Sequence, residues 1–278
     1  MRVTARARRI PRVVAVVVAA AIAGFPIYWM LTTATQTPSE IFGDTQPWWP
    51  NLGRLDDAFR SAADGIPIFR WLTNTVFVAT GTMVISLVLA TLAAYALSRY
   101  KFRGKGTFGA SLFATQMLPD TLLVVPLYAT FMAFGMLNNL WSLVLSNTAF
   151  SMPVAVWILK SAIDGVPPEI EESARMDGCP RYAILPQVVL PLIAPSLAAA
   201  AVITFFDGWN EFIFANTFIT DRLLWPASKG IASFVGQYIT PLNAVMSAAL
   251  LFAVPAAIFF LMAQRKIVSG LTAGSVKG

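Results

Sequence analysis

Six stretches of this chain are apolar enough and long enough to cross a lipid bilayer, for which about 20 apolar residues suffice. They are Val13–Leu31, Val76–Leu97, Phe108–Phe134, Leu140–Leu159, Leu190–Ile219 and Ala244–Ala263. A globular core does not concentrate its apolar residues in this way. The third and fifth runs contain Pro and acidic residues, so their ends are less sharply set than the others. The pattern predicts an all-α polytopic membrane protein of six transmembrane helices, with residues 1–278 forming a single membrane domain embedded in a lipid bilayer.

Basic residues orient the spans. Six crossings put both termini on one side. On that side fall Arg2, Arg6, Arg8, Arg9, Arg12, Arg99, Lys101, Arg103, Lys105, Lys160, Arg175, Arg181, Arg265, Lys266 and Lys277. The opposite side holds Arg54, Arg60, Arg70, Arg222 and Lys229. The basic side is therefore expected to be cytoplasmic. The net charge of +6 is then a topology signal with some attraction to anionic lipid, and no nucleic-acid partner is expected. The apolar run after the basic amino terminus continues through "FPIYWML" without a small-residue cleavage pattern, which favours an uncleaved first span. One cysteine, Cys179, and no histidine exclude a disulfide framework or a Cys/His metal site.

The first outer loop, about Thr35 to Trp71, is broken by Pro and Gly and carries Trp48 and Trp49, residues suited to the membrane interface. A short amphipathic helix is expected around Leu55–Phe59. The basic turn "SRYKFRGKG" has a Gly-Lys pair. A nucleotide-binding P-loop needs Gly five residues earlier and Ser or Thr directly after; Arg99 and Gly106 stand there instead. It is not a P-loop.

The most polar segment of the chain, "IEESARMDGCPRYAILPQVVLPL" at 170–192, interrupts this oily background. Pro167 and Pro168 suit the first turn of a helix. Glu169, Glu171 and Glu172 favour the same positive end of its dipole. Gly178 offers a left-handed stop, and Pro180 opens a second short helix in which Pro186 is a potential bend. Such short helices do not persist alone. A solvated connector is the plain reading. Small Ser173 and Ala174 point instead to close approach by another protein.

The spacing of this segment resembles a known family. Glu172-Ser173-Ala174, three residues, Gly178, nine residues, Val188, one residue, Leu190-Pro191 is similar to the EAA loop of ABC importer permeases. That pattern reads Glu-Ala-Ala, x3, Gly, x9, Ile, x, Leu-Pro, with Ser173 and Val188 as conservative departures. "GWNEFIFA" at 208–215, "GIASFVGQY" at 230–238, "AAYALSRYKFRGK" after span two and the tail "QRKIVSGLTAGSVKG" at 264–278 resemble the carbohydrate-uptake, maltose-type branch, and within it the second permease of the pair.

This resemblance implies a subunit of an ATP-driven, binding-protein-dependent importer in a bacterial or archaeal cytoplasmic membrane, carrying a sugar or sugar-like solute. Implied partners are a sister permease, two ATPase subunits and an extracytoplasmic solute-binding protein. ATP and Mg are expected on the ATPase subunits and no cofactor on this chain, which would be no enzyme by itself. Residues 161–190 would form the cytoplasmic EAA loop, with Glu172, Ser173, Ala174 and Gly178 coupling to the ATPase. By the same resemblance the tail reaches back toward the ATPase dimer.

Polar residues inside the apolar runs are candidates for a solute route, because buried polar groups in hydrocarbon are costly unless they face protein or water. Thr204, Asp207, Asn210 and Glu211 fall at helical spacings on one face. Gln116, Pro119, Asp120 and Pro126 interrupt span three, and Asn74 opens span two. Each of these also has a structural reading, as hydrogen bonding between spans, shaping of the bundle or the end of a span. The candidate pathway set is Asn74, Gln116, Asp207, Asn210 and Glu211. An ion-coupled secondary transporter is the rival function, although no repeat between the halves supports it. A membrane-embedded enzyme lacks assignable catalytic groups, and a purely structural subunit is the plainest alternative.

Overall fold

The computed structural model describes residues 3–44, 47–63, 66–234 and 241–274. Arg2, Lys277, the stretch 235–238 and the last four residues of the tail lie outside the described residues. The chain divides into two compact units, residues 1–68 with 231–254 and residues 69–230 with 255–278.

The first unit begins with α1 (Val3–Ala34), a helix whose apolar side chains from Val13 to Ile27 are largely exposed. That suits a surface facing lipid rather than protein. At its end Tyr28 donates its hydroxyl to the Trp48 carbonyl, while Trp49 packs edge-on to Tyr28 and Trp48 edge-on to Trp29. Both loop tryptophans remain exposed. The single turn α2 (Pro38–Ile41) starts with a capping box between Thr37 and Glu40. The Thr37 backbone N–H and then its hydroxyl hold the Glu40 carboxyl below the usual carboxylate range, with Arg54 adding to both. The amphipathic helix expected near Leu55–Phe59 is α3 (Leu55–Ala63).

The second unit is built on α4 (Ile68–Arg99), α7 (Leu140–Asp164) and α11 (Ala194–Trp209). In lipid there is no hydrophobic drive between helices, so close approach through small residues takes over. A Cβ on Gly208 of α11 would stand 2.9 Å from Ala79 Cα of α4, and one on Gly81 would stand 3.0 Å from Val144 Cγ2 of α7. These glycines are required by contact. The buried core adds Ala90, Ala94, Leu97, Val156, Leu159 and Ile163, and the hydroxyls of Ser86 and Ser151 meet at 2.8 Å.

Among the described residues five helices are long and apolar enough to span a membrane: Pro11–Ala34, Ile68–Arg99, Leu140–Asp164, Ala194–Phe218 and Leu242–Lys266. The sixth expected span, Phe108–Phe134, is instead two helices, α5 (Lys105–Thr115) and α6 (Asp120–Ala133), bent by 100° at their junction. Pro119 precedes α6, and its preference against a helical preceding residue stops α5. The segment 170–192 forms α8 (Pro168–Met176), α9 (Arg181–Ile184), a wide π turn over Leu185–Val189 that contains Pro186, and α10 (Leu190–Leu192). Downstream lie α12 (Ile213–Phe218), α13 (Ala227–Ala232) and α14 (Leu242–Gly274). The tail therefore continues α14 as helix as far as Gly274.

Candidate functional site

Two regions of the second unit gather the sequence candidates. The first is α8 with its turn. Pro167 caps the helix and Pro168 opens it, where a missing N–H leaves no orphan. At its end Gly178 has φ +85°. The Gly178 N–H donates to Arg175 O at 3.1 Å and the Cys179 N–H to Ala174 O at 3.0 Å, the paired bonds of a Schellman turn. Glu172, Ser173 and Gly178 are exposed, whereas Ala174 is half-buried. Ile170, Met176 (88% exposed) and Tyr182 (85%) add apolar surface beside them.

Glu171, one residue before the motif glutamate, behaves oppositely and is 1% exposed. Its Oε1 accepts from Arg99 Nε at 2.5 Å and its Oε2 from the Tyr95 hydroxyl at 2.7 Å. Arg99 also donates to Val166 O at 2.7 Å. Beside this, Ser98 donates to Asp164 at 2.6 Å and Lys160 pairs with the same carboxylate. The sequence marks Arg99 as a topology charge and as part of the stretch after span two, with no sign of its partner. Nothing local reveals a pairing across 72 positions.

The second region is a cavity of about 610 Å³ lined by Thr115, Gln116 and Leu118 from the α5–α6 break, Asp120 of α6, Asn147, Phe150 and Val154 of α7, and residues 203–214 in part. Of the latter, Ile203, Phe206 and Asp207 belong to α11, and Asn210, Glu211 and Phe212 to its interruption before α12. Two breaks in helical hydrogen bonding thus face one space. In apolar surroundings, irregular backbone is tolerated where it is sheltered by protein or lines a cavity.

Gln116, Asp207, Asn210 and Glu211 come together here as candidates. They do not share one continuous helix face: α11 ends at Trp209, Asn210 caps it with its N–H on Phe206 O at 3.0 Å, and Thr204 is buried outside the lining. Gln116 donates to Phe150 O at 2.8 Å. Asn74 is not in the cavity lining. Its amide donates to Leu223 O at 2.9 Å and Trp225 O at 3.0 Å, fixing the loop before α13 to the start of α4.

Glu211 has a structural task that the sequence does not specify. Its carboxylate accepts the Phe214 N–H at 2.5 Å and the Ala215 N–H at 3.0 Å, capping the start of α12. Buried Lys229 donates to the carbonyls of Ala215, Asn216 and Ile219 at the other end. An acid at the N-terminus and a cation at the C-terminus both oppose the helix dipole, so this short helix is braced at each end. Asp120 and Asp207, by contrast, have no ion-pair or hydrogen-bond partner among the described residues. Among those residues no cluster suited to a metal occurs.

Related sequences and the same fold occur in known proteins. The family model described as "Binding-protein-dependent transport system inner membrane component" matches residues 3–272. The diacetylchitobiose uptake system permease protein DasC of Streptomyces coelicolor is 33% identical over 254 residues, covering 91% of this chain and 92% of the relative. The trehalose/maltose transport system permease protein MalG of Thermococcus litoralis is 32% identical over 273 residues, covering 98% of each. A crystal structure of a bacterial ABC transporter involved in import of the acidic polysaccharide alginate contains a chain of the same fold. Its TM-score is 0.76 at 20% identity, over 94% of this chain and 97% of that one.

Proposed function

The chain belongs to the family of inner membrane components of binding-protein-dependent transport systems, and we propose that it forms, with a sister permease, the membrane path for a neutral sugar. It is a multi-pass permease subunit of an ABC importer, and ATP hydrolysis resides in separate subunits. The ion-coupled alternative gives way to that membership.

In our reading residues 1–278 act as one permease domain, with both termini and the 161–190 loop on the cytoplasmic side. Two ATPase subunits, holding ATP and Mg, receive α8 through Glu172, Ser173 and the Gly178 turn, with Ala174 behind them. An extracytoplasmic binding protein delivers the solute. The tail would lie against the ATPase pair. Binding of ATP acts by its differential affinity for two arrangements of the spans.

The observation that carries the solute reading is the cavity faced by two helix breaks. Phe150, Phe206, Phe212 and Phe214 offer apolar faces, while Gln116, Asn147 and Asn210 supply amides and Asp120 and Asp207 supply acceptors. Amides both donate and accept, and carboxylates accept from hydroxyls. That mixture suits the apolar faces and hydroxyl rims of a sugar. Relatives bearing the names of diacetylchitobiose and trehalose/maltose transport support a sugar, and Asp120 and Asp207 on the cavity wall favour a neutral one over an anion. The test is ATP-dependent uptake of radiolabelled diacetylchitobiose, trehalose and maltose by the complete complex in proteoliposomes. At least one of them should accumulate, and Asn210→Ala should lower its rate without loss of the assembled complex. ATP-independent uptake, or a normal rate with Asn210→Ala, would overturn the assignment of this route.

A further inference from the structure

The buried ion pair beneath α8 marks where a push on that helix enters the bundle. We propose that Glu171 and Arg99 form a latch that makes the first turn of α8 and the end of α4 move as one body, so that α4 carries displacement of α8 to the cavity. This rests on the reading of α8 as the ATPase-docking helix, and assigns a positioning role to two residues outside the recognised motif.

Three bonds fasten the start of α8. Arg99 holds the Val166 carbonyl just before Pro167 and the Glu171 carboxylate one turn into the helix, and Tyr95 holds the second carboxylate oxygen. Side chains of Arg99 and Glu171 are 14% and 2% exposed. Separating such a pair strands a charge in a site with little water, so the contact resists opening under force. The outer half of α8 is held differently. Met176 is 88% exposed, and the Glu172, Arg175 and Asp177 side chains have no hydrogen bond or ion pair among the described residues. Bonds to α4 thus gather at the first turn of α8, while the helix packs on α9 and the π turn that follow it.

From the latch, α4 continues to Ala79 and Thr82, which touch Gly208 of α11 at contact distances that leave no room for a Cβ. Gly208 adjoins Asp207, which lines the cavity. A rigid helix therefore joins the latch to the cavity wall. Coupling along such a route is established only by showing that one end responds to the other.

The experiment uses the complete complex with Cys179→Ser as background. Asn210→Cys reports on the cavity through its rate of maleimide labelling, and Met176→Cys, in a separate preparation, reports docking by cross-linking to the ATPase subunit. Labelling is compared between the nucleotide-free and ATP–vanadate states, for which coupled sites give a ratio of about fivefold or more. Glu171→Ala and Arg99→Ala should bring this ratio close to one while the Met176→Cys cross-link persists. The double variant should be no worse than either single one, as residues acting as a unit are non-additive. Glu171→Gln keeps the size and a hydrogen-bonding side chain, and should give an intermediate ratio even where the alanine variants assemble poorly. An undiminished ratio in Glu171→Gln and Glu171→Ala, with the cross-link intact, would overturn the latch. Failure of the cross-link in the parent complex would overturn the docking reading itself.

Discussion

Glu171 and Asp207 are both acidic side chains of the same compact unit, and the fold treats them in opposite ways. Glu171 is sealed from solvent and saturated by Arg99 and Tyr95. Asp207 faces a cavity and has neither an ion-pair nor a hydrogen-bond partner among the described residues. A sealed acid needs partners, because a bare buried charge is too costly. An acid on a cavity wall instead has open space beside its carboxylate. The contrast separates a mechanical joint from an open cavity wall. Glu211 shows that position alone does not decide the matter. It touches the same cavity as Asp207, yet its carboxylate is committed to two backbone N–H groups.

The sharpest challenge to this contrast comes at Glu211. Glu211→Ala removes two charge-assisted hydrogen bonds from the start of α12 and leaves Lys229 without the acid at the opposite end. The expected loss is about 2–3 kcal/mol, read as a lower melting temperature of the detergent-solubilised complex and less assembled protein. If the variant melts like the parent, Glu211 belongs with Asp207 rather than Glu171.

Gly178→Val is expected to cost about 1–2 kcal/mol, the scale of placing a side chain in the left-handed region. No neighbouring atom lies within 4 Å of where its Cβ would stand, so the penalty is conformational rather than a clash. It should stay local to the turn. Binding-protein-stimulated ATP hydrolysis should fall, while melting of the bundle changes little; equal loss in both would make the turn a folding element.

Asp207→Asn should have the smallest effect on stability, within about 0.5 kcal/mol, because no bond is lost. Its effect belongs to transport. Removing one charge from the cavity should increase competition by an anionic sugar for uptake of the neutral one. If the melting temperature falls as far as in Glu211→Ala, Asp207 is a hidden structural acid and the distinction between the two acids collapses.

Each of these features is legible in the sequence to the extent that its signal is local. Proline and glycine punctuate α8, so its start at Pro168 and its stop at Gly178 can be read in order along the chain. The apolar runs announce the spans for the same reason. The bend in the third run is signalled by Pro119, but proline does not state an angle. The interruption at 210–212 has no such breaker. It is made by a side chain two residues ahead of α12, and its only trace is the polar pair Asn210-Glu211 within an aromatic run. Least legible is the latch. Arg99 is one of four basic residues in its turn and Glu171 one of three acids in its helix; only the folded chain selects which of them meet.

The bend between α5 and α6 also bears on the membrane itself. At 1.5 Å per residue the two helices are roughly 16 Å and 21 Å long. Joined at 100°, they reach only about 24 Å from end to end, short of a hydrocarbon layer about 30 Å thick. A stretch shorter than the hydrocarbon around it is accommodated by a thinner bilayer beside it, by flanking polar side chains reaching outward or by packing against another subunit. Length given up at this bend is what the break at Gln116 and Leu118 costs in exchange for a cavity wall.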